Sequence, residues 1–271
     1  MTPVFQLRPL RYRSIWISDV HLGTKHCKAH YLFDFLNAVE CDYLYLLGDI
    51  VDLWNMKRGL YWPQAHNDVV RIILEKARSG TTVIYVPGNH DHPLREHDGL
   101  TFGNVRIRNS HVHTTADGKR LLLMHGDEFD HVVKCGWLSR LIGNQAYDLL
   151  LYLSRWVDHV RQRMGLSYWS LAGWLKRHVK GAARHIDIFE QACMHEVERR
   201  RVDGVVCGHI HHAEIKRDGR AVYCNDGDWV ESCTALVETH DGALELLRWV
   251  DRQHTVKSLA PADTDAVRKI A

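Results

Sequence analysis

No stretch of the 271 residues approaches the ~18 consecutive apolar residues that a membrane-spanning helix requires. The N-terminal segment, MTPVFQLRPLRYRS, lacks the continuous apolar core of a secretory signal, so a cytoplasmic chain is expected. There is no C-x-x-C pair, and the seven cysteines are odd in number and scattered, which argues against a disulfide framework or a structural zinc site. The formal net charge is only +2, so the chain as a whole is no polyelectrolyte binder, and no zinc-finger or RRM motif suggests nucleic acid. A Walker-type phosphate loop and a G-x-S-x-G nucleophile elbow are also missing.

Histidine, by contrast, is plentiful, at 20 residues. Apolar runs at Ser14–Ser18, 43–47, 82–86, 121–124 and 204–207 predict buried strands. Residues 28–40 and 64–79 have helical periodicity, the second with Pro63 at its start and Gly80 beyond its end. Short strands are expected near 105–108 and 111–115. Residues 213–250 read as a β-meander with turns at Asp218-Gly219 and Asp241-Gly242. Residues 131–200 contain no convincing strand and read as a helical insertion. Residues 252–271 read as a loose polar tail. The expected organisation is one α/β (α+β) domain over 1–251 that includes the insertion, followed by the tail.

Each predicted strand ends in a polar block. Asp19-Val20-His21 follows the first, Gly48-Asp49 the second and Gly88-Asn89-His90-Asp91 the third. His125-Gly126-Asp127 and Gly208-His209-Ile210-His211 follow later ones. The carboxyl ends of strands are where α/β proteins build sites. Carboxylates, an amide and imidazoles suit divalent manganese, iron or zinc. If the strand conformation continues, Asp19 and His21 share one side, as do His209 and His211. The glycines are expected to let the backbone turn beside the ligands.

This order, D-x-H, G-D, G-N-H-D, H-G-D, G-H-x-H, resembles that of the calcineurin-like metallophosphoesterases over residues 19–211. The resemblance implies a four-layer sandwich of two mixed β-sheets flanked by helices. It implies two divalent ions, with manganese the usual metal. Asp19, His21, Asp49 and His211 would hold one ion, and Asp49, Asn89, His125 and His209 the other, with Asp49 bridging. Two such ions clamp the attacking and leaving oxygens of an in-line displacement and acidify the attacking water. His90 would protonate the leaving oxygen or stabilise the phosphorane charge, with Asp91 orienting its ring.

The substrate must be chosen by additions to this core. The insertion carries Trp137, Trp156, Trp169 and Trp174. Residues 155–184 hold seven basic side chains and one acidic, a local +6 in a chain of +2. Such helices suit an anionic membrane surface or a lipid diphosphate. Together with the aromatic Asp52-Leu53-Trp54 segment, the insertion's position resembles the helical cap of the UDP-2,3-diacylglucosamine diphosphatases of lipid A synthesis. That resemblance implies a lipid-linked substrate and a peripheral place at the inner membrane face. Lys176, Arg177, Lys180 and Asn89 are the candidate substrate contacts. Those diphosphatases typically carry Arg at the position of His90. Retention of His leaves open a phosphodiesterase or phosphatase acting on a soluble nucleotide or other phosphoester. A non-catalytic module on the same fold would have lost ligands, and none is missing here.

Overall fold

The computed structural model describes residues 9–130, 180–249 and 257–259. Most of the expected insertion, including its four tryptophans, Lys176 and Arg177, lies outside the described residues. Among them, the first sheet has the order β13-β12-β11-β1-β2-β3-β5-β4 and the second β6-β7-β8-β10-β9. In the first, β1 (Leu10–Ile17), β2 (Val39–Leu47), β3 (Thr82–Val86) and β5 (Val105–Ile107) run parallel. The hairpin of β11 (Thr234–Glu238) and β12 (Leu244–Arg248) joins antiparallel to β1. β4 (Thr101–Phe102) and β13 (Lys257–Leu259) are the edges. In the second sheet β7 (Arg120–Leu123), β8 (Gly204–Cys207) and β10 (Ala221–Asn225) are parallel, flanked by antiparallel β6 (His111–Thr114) and β9 (Glu214–Asp218).

The helices α1 (Ala29–Ala38) and α3 (Gln64–Arg78) cover the first sheet, a single turn α2 (Leu53–Met56) stands at a strand end, and α4 (Lys180–Arg200) covers the second sheet. Strand alternation separates the cores. Ile15 and Ile17 face the helices with Leu32, Phe35 and Val69, while Trp16 faces the second sheet with Leu123 and Val206. Likewise Leu121 and Leu123 point between the sheets, whereas Leu122 and Met124 pack beneath Phe189 and Cys193 of α4. Two mixed sheets and two helical layers thus follow from apolar residues on both faces of each central strand.

Two sequence expectations change. Residues 213–250 are not one meander, because β9–β10 belongs to the second sheet and β11–β12 to the first. Apolar alternation marks strands but not which sheet they join. The chain changes sheets at 226–233. The stretch read as a loose tail also supplies β13, which pairs with β12.

One buried polar network ties the sheets together. Glu238 on β11 accepts from Arg13 Nη1 at 2.8 and 2.9 Å, Ser14 Oγ at 2.7 Å and Ala116 N at 2.6 Å. His113 of β6 lies with Nε2 2.9 Å from the same carboxylate and Nδ1 2.8 Å from the Tyr45 hydroxyl. If Nε2 donates to Glu238, Nδ1 is left to accept from Tyr45. Burial raises the Glu238 pKa, but hydrogen bonds from His113, Ser14 and Ala116 outweigh it and hold it below the usual glutamate value. A depressed folded pKa gives stability that is complete above the unfolded value and is lost as pH falls through the folded one. Glu238→Ala is therefore expected to cost about 3–5 kcal/mol at neutral pH by stranding Arg13 and His113. Denaturant unfolding at stepped pH should show the gap from wild type closing below the normal glutamate range.

Candidate active site

The five polar blocks meet at one edge of the two sheets. β1, β2 and β3 deliver the first three, and β7 and β8 the other two. The backbone there is not extended. Asp19, His21, Asp49, His209 and His211 have φ of 50°, 54°, 54°, 69° and 52°. Asp19 and His21 therefore do not share a strand face as two-residue alternation would have it, nor do His209 and His211. Left-handed turns bring their side chains together instead. Each such non-glycine residue costs on the order of 1–3 kcal/mol, which the surrounding fold must hold in place. Asp19 N and His21 N donate to the carbonyls of Gly48 and Asp49 at 3.1 and 2.8 Å, and Trp229 N donates to the Asp19 carbonyl at 3.0 Å.

The ligating atoms converge. His211 Nε2 lies 3.1 Å from Asp19 Oδ1, and His21 Nε2 lies 3.9 Å from Asp19 Oδ1 and 3.8 Å from Asp49 Oδ2. His125 Nε2 is 3.4 Å and His90 Nε2 4.0 Å from Asp49 Oδ2. Three overlapping triads could each hold an ion: Asp19, His21 and His211; Asp19, Asp49 and His125; and His21, Asp49 and His90. Asp19 Oδ1 and His125 Nε2 are buried without a hydrogen bond of acceptable geometry, although other donor atoms crowd them. Lone pairs aimed at a common point rather than at one another fit a divalent cation.

The other expected ligands are placed differently. His209 stands beside His125, with ring centres 5.1 Å apart, but its Nε2 pairs with Asp130 at 2.6 Å. Asn89 is exposed. Lys180 is described only as the first residue of α4.

His90 is not oriented by Asp91. The buried Asp91 carboxylate accepts from Ile50 N at 2.8 Å, Gly88 N at 2.5 Å and the Tyr85 hydroxyl at 2.5 Å, so it braces the loops that carry Asp49 and His90. Sequence adjacency misled here, because neighbouring side chains on a turning backbone diverge. Asp52 stands against the ring instead. It lies 3.0 Å from His90 Nδ1 and 3.1 Å from His21 Nδ1, and it caps α2 by accepting from Asn55 N at 2.8 Å. The signal for it was an Asp three residues before an Asn, at the start of a helical turn.

The charges compensate one another. Burial would raise the Asp19 and Asp49 carboxyls, but the imidazoles of His211 and His125 respectively hold both well below the usual range. Burial would lower His90, but Asp52 and Asp49 raise it. A bound cation takes over this role for the ligating imidazoles, which must then be neutral. Next to His90 the Trp54 ring is 54% exposed at 5.2 Å, with the Arg58 guanidinium 5.1 Å over its face.

Glycines admit these side chains. A Cβ at Gly48 would strike the His125 ring, and Gly48 also has φ of 82°. Gly88 and Gly208 do not need a positive φ. They are required for space, since a Cβ would meet Asp49 Oδ1 at the first and Ser18 Oγ and Asp19 Oδ2 at the second.

The sequence reading also missed the segment Asn225-Asp226-Gly227-Asp228-Trp229. It follows a strand just as the five blocks do, and that was its signal. Asn225 Nδ2 donates to the Gly208 carbonyl at 2.7 Å, and Asp228 Oδ1 accepts from Val230 N at 2.8 Å and lies 4.0 Å from His211 Nδ1.

Residues 12–213 match the sequence model of the calcineurin-like phosphoesterases. The chain is 26% identical over 234 residues to a UDP-2,3-diacylglucosamine hydrolase of Psychromonas ingrahamii, covering 80% of this chain and 89% of that protein. A UDP-2,3-diacylglucosamine hydrolase of Photorhabdus laumondii is 25% identical over 229 residues, covering 78% and 88%. Among solved structures, YfcE, a phosphoesterase from E. coli, is similar at a TM-score of 0.44 and 17% identity, over 91% of this chain and 98% of that one. The family match runs through all five blocks, so the chain belongs to the calcineurin-like phosphoesterase family and is a metal-dependent phosphoesterase.

Proposed function

We propose that this protein hydrolyses the pyrophosphate bond of a nucleotide-linked diacyl sugar, of the UDP-2,3-diacylglucosamine type, using two divalent ions, preferably manganese. The observation that carries the substrate class is the likeness to UDP-2,3-diacylglucosamine hydrolases along most of both chains. An exposed Trp54 beside His90 offers such a molecule an apolar face, and Leu60, 77% exposed, adds apolar surface to the segment after Asp49. A lipid substrate also favours work at the inner membrane face, although no described helix is long and apolar enough to cross a membrane.

Asp19, His21, Asp49 and His211 would hold one ion. Asp49, Asn89, His125 and His209 would hold the other, with His209 turning away from Asp130. When bound, the ions supply Lewis acidity to the phosphoryl group and acidify water. The chain's own residues do the rest. The backbone N–H of His90 fixes Asp49 by donating to its Oδ1 at 2.8 Å. Asp52 holds the His90 ring with Nε2 toward the site, where an imidazolium can donate a proton to the leaving oxygen. The Trp54 ring lies edge-on to His90 at 5.2 Å.

His90 also favours a second reading, hydrolysis of a soluble phosphodiester. One assay separates them. Manganese-loaded protein is expected to convert UDP-2,3-diacylglucosamine to UMP and the diacylglucosamine 1-phosphate faster than it cleaves bis-p-nitrophenyl phosphate. Brisk diester cleavage with an untouched lipid would select the soluble reading.

Two pairs of variants have contrasting expected outcomes. Asp52→Asn keeps the helix cap but loses the charge on His21 and His90, and should lower kcat about 10–100-fold. Asp91→Asn should instead lower the melting temperature more than it lowers kcat, and steady-state kinetics with thermal unfolding would show the contrast. Gly88→Ala should abolish tight divalent-metal retention by displacing Asp49. Gly80→Ala, where φ is 106° and no atom stands in the way, should cost only about 1 kcal/mol of backbone strain. Metal content after gel filtration reads the difference.

A further inference from the structure

Ser18 is buried directly before Asp19, and its hydroxyl lies between two carboxylates. Oγ is 2.6 Å from Asp19 Oδ2, 2.5 Å from Asp226 Oδ1 and 3.3 Å from the Gly227 carbonyl. A serine hydroxyl has one proton to donate. It cannot serve both carboxylates, so one of them must carry a proton of its own and donate it to Oγ.

The surroundings decide which. Asp19 Oδ2 also accepts from His209 N at 2.7 Å, and Asp19 Oδ1 faces His211 Nε2 at 3.1 Å. Asp19 therefore has a further polar neighbour at each of its two oxygens. Asp226 is fully buried, its Oδ2 has no hydrogen-bond partner, and no ion pair among the described residues reaches it. An ionised carboxylate left in that state would carry the full cost of burying an unpaired charge, whereas a neutral acid carries far less. Burial pushes the Asp226 pKa far up, the Ser18 hydrogen bond opposes this, and the charge of Asp19 adds to the rise.

We propose that Asp226 is a neutral carboxylic acid and a positioning residue: its O–H donates to Ser18 Oγ, and the Ser18 O–H donates to Asp19 Oδ2. The chain of two hydrogen bonds, with His209 N, fully occupies one oxygen of Asp19 and leaves Oδ1 for a cation. It fixes the ligand without adding a further negative charge beside the carboxylates already there. Gly208 is part of the device, since any Cβ there would strike Ser18 Oγ. So is the loop after β10, which holds the Gly208 carbonyl through Asn225 and the Asp19 carbonyl through Trp229 N. The proposal rests on the reading of Asp19 as a metal ligand.

Two measurements on metal-stripped, full-length protein test it. Infrared difference spectra of wild type against the isosteric Asp226→Asn, at neutral pH, should show a protonated-carboxyl carbonyl band in wild type alone, shifting in D2O. Calorimetric titration with Mn2+ should show wild-type affinity for Asp226→Asn, whose amide N–H also donates to Ser18, and affinity about 10–100-fold weaker for Ser18→Ala. Absence of the infrared band overturns the proposal, as does Ser18→Ala binding Mn2+ like wild type. If Ser18→Ala does not fold, the infrared comparison decides alone. Asp19→Asn is the control: unchanged Mn2+ affinity there would remove the ligand reading itself, whereas weakened affinity with an intact Ser18→Ala would remove only the relay.

Discussion

Asp19, Asp49, Asp52 and Asp91 each have a relative exposure of 2% or less, and all four lie at one edge of the two sheets. Taking a carboxylate out of water costs several kcal/mol, and placing others beside it adds repulsion. The architecture at this edge is the compensation. Backbone N–H groups of His90, Ile50, Gly88 and His209 donate to these carboxylates. His21, His90, His125 and His211 surround them. Divalent cations complete the balance, which is why the same arrangement that is expensive to fold is suited to phosphoester chemistry.

That compensation demands an unusual backbone. Donors reach the carboxylates only because the chain turns left-handed at Asp19, His21, Asp49, His209 and His211. Such turns persist where rigid strands over-determine them. Here β1 and β2 end in step, and glycines leave room for neighbouring side chains to cross over the backbone. The buried network of Glu238, Arg13 and His113, farther back along β1, ties β1 and β11 to β6 of the second sheet. Stability is thus invested away from the site so that strain can be kept within it.

Much of this was legible in the residues. Apolar runs placed the central strands to within a few residues, because burial on both faces leaves little freedom of composition. The blocks after those runs marked the site, since Asp, His and Gly at successive strand ends serve no packing purpose. The pairing of side chains was not legible. Asp91 looked like the partner of His90 because it is next in sequence, yet it points into the loop core, and Asp52, 38 positions earlier, stands against the ring. The β11–β12 hairpin, read as the end of a meander, crosses to the first sheet because Leu236 and Val237 are apolar on both faces and fit beside β1.

The sequence by itself determined which chemical groups are available and where along each strand they leave the sheet. Those properties are local: hydrophobic periodicity, and donor types suited to hard and borderline metals. Tertiary structure alone decided which carboxylate stands against which imidazole, which oxygen of Asp19 is occupied by Ser18, and that Asp226 reaches Ser18, just before the D-x-H block, from 208 residues away. Hydrogen bonds across such separations depend on sheet order and on backbone turns of a few degrees of freedom each, and neither leaves a periodic mark in the chain.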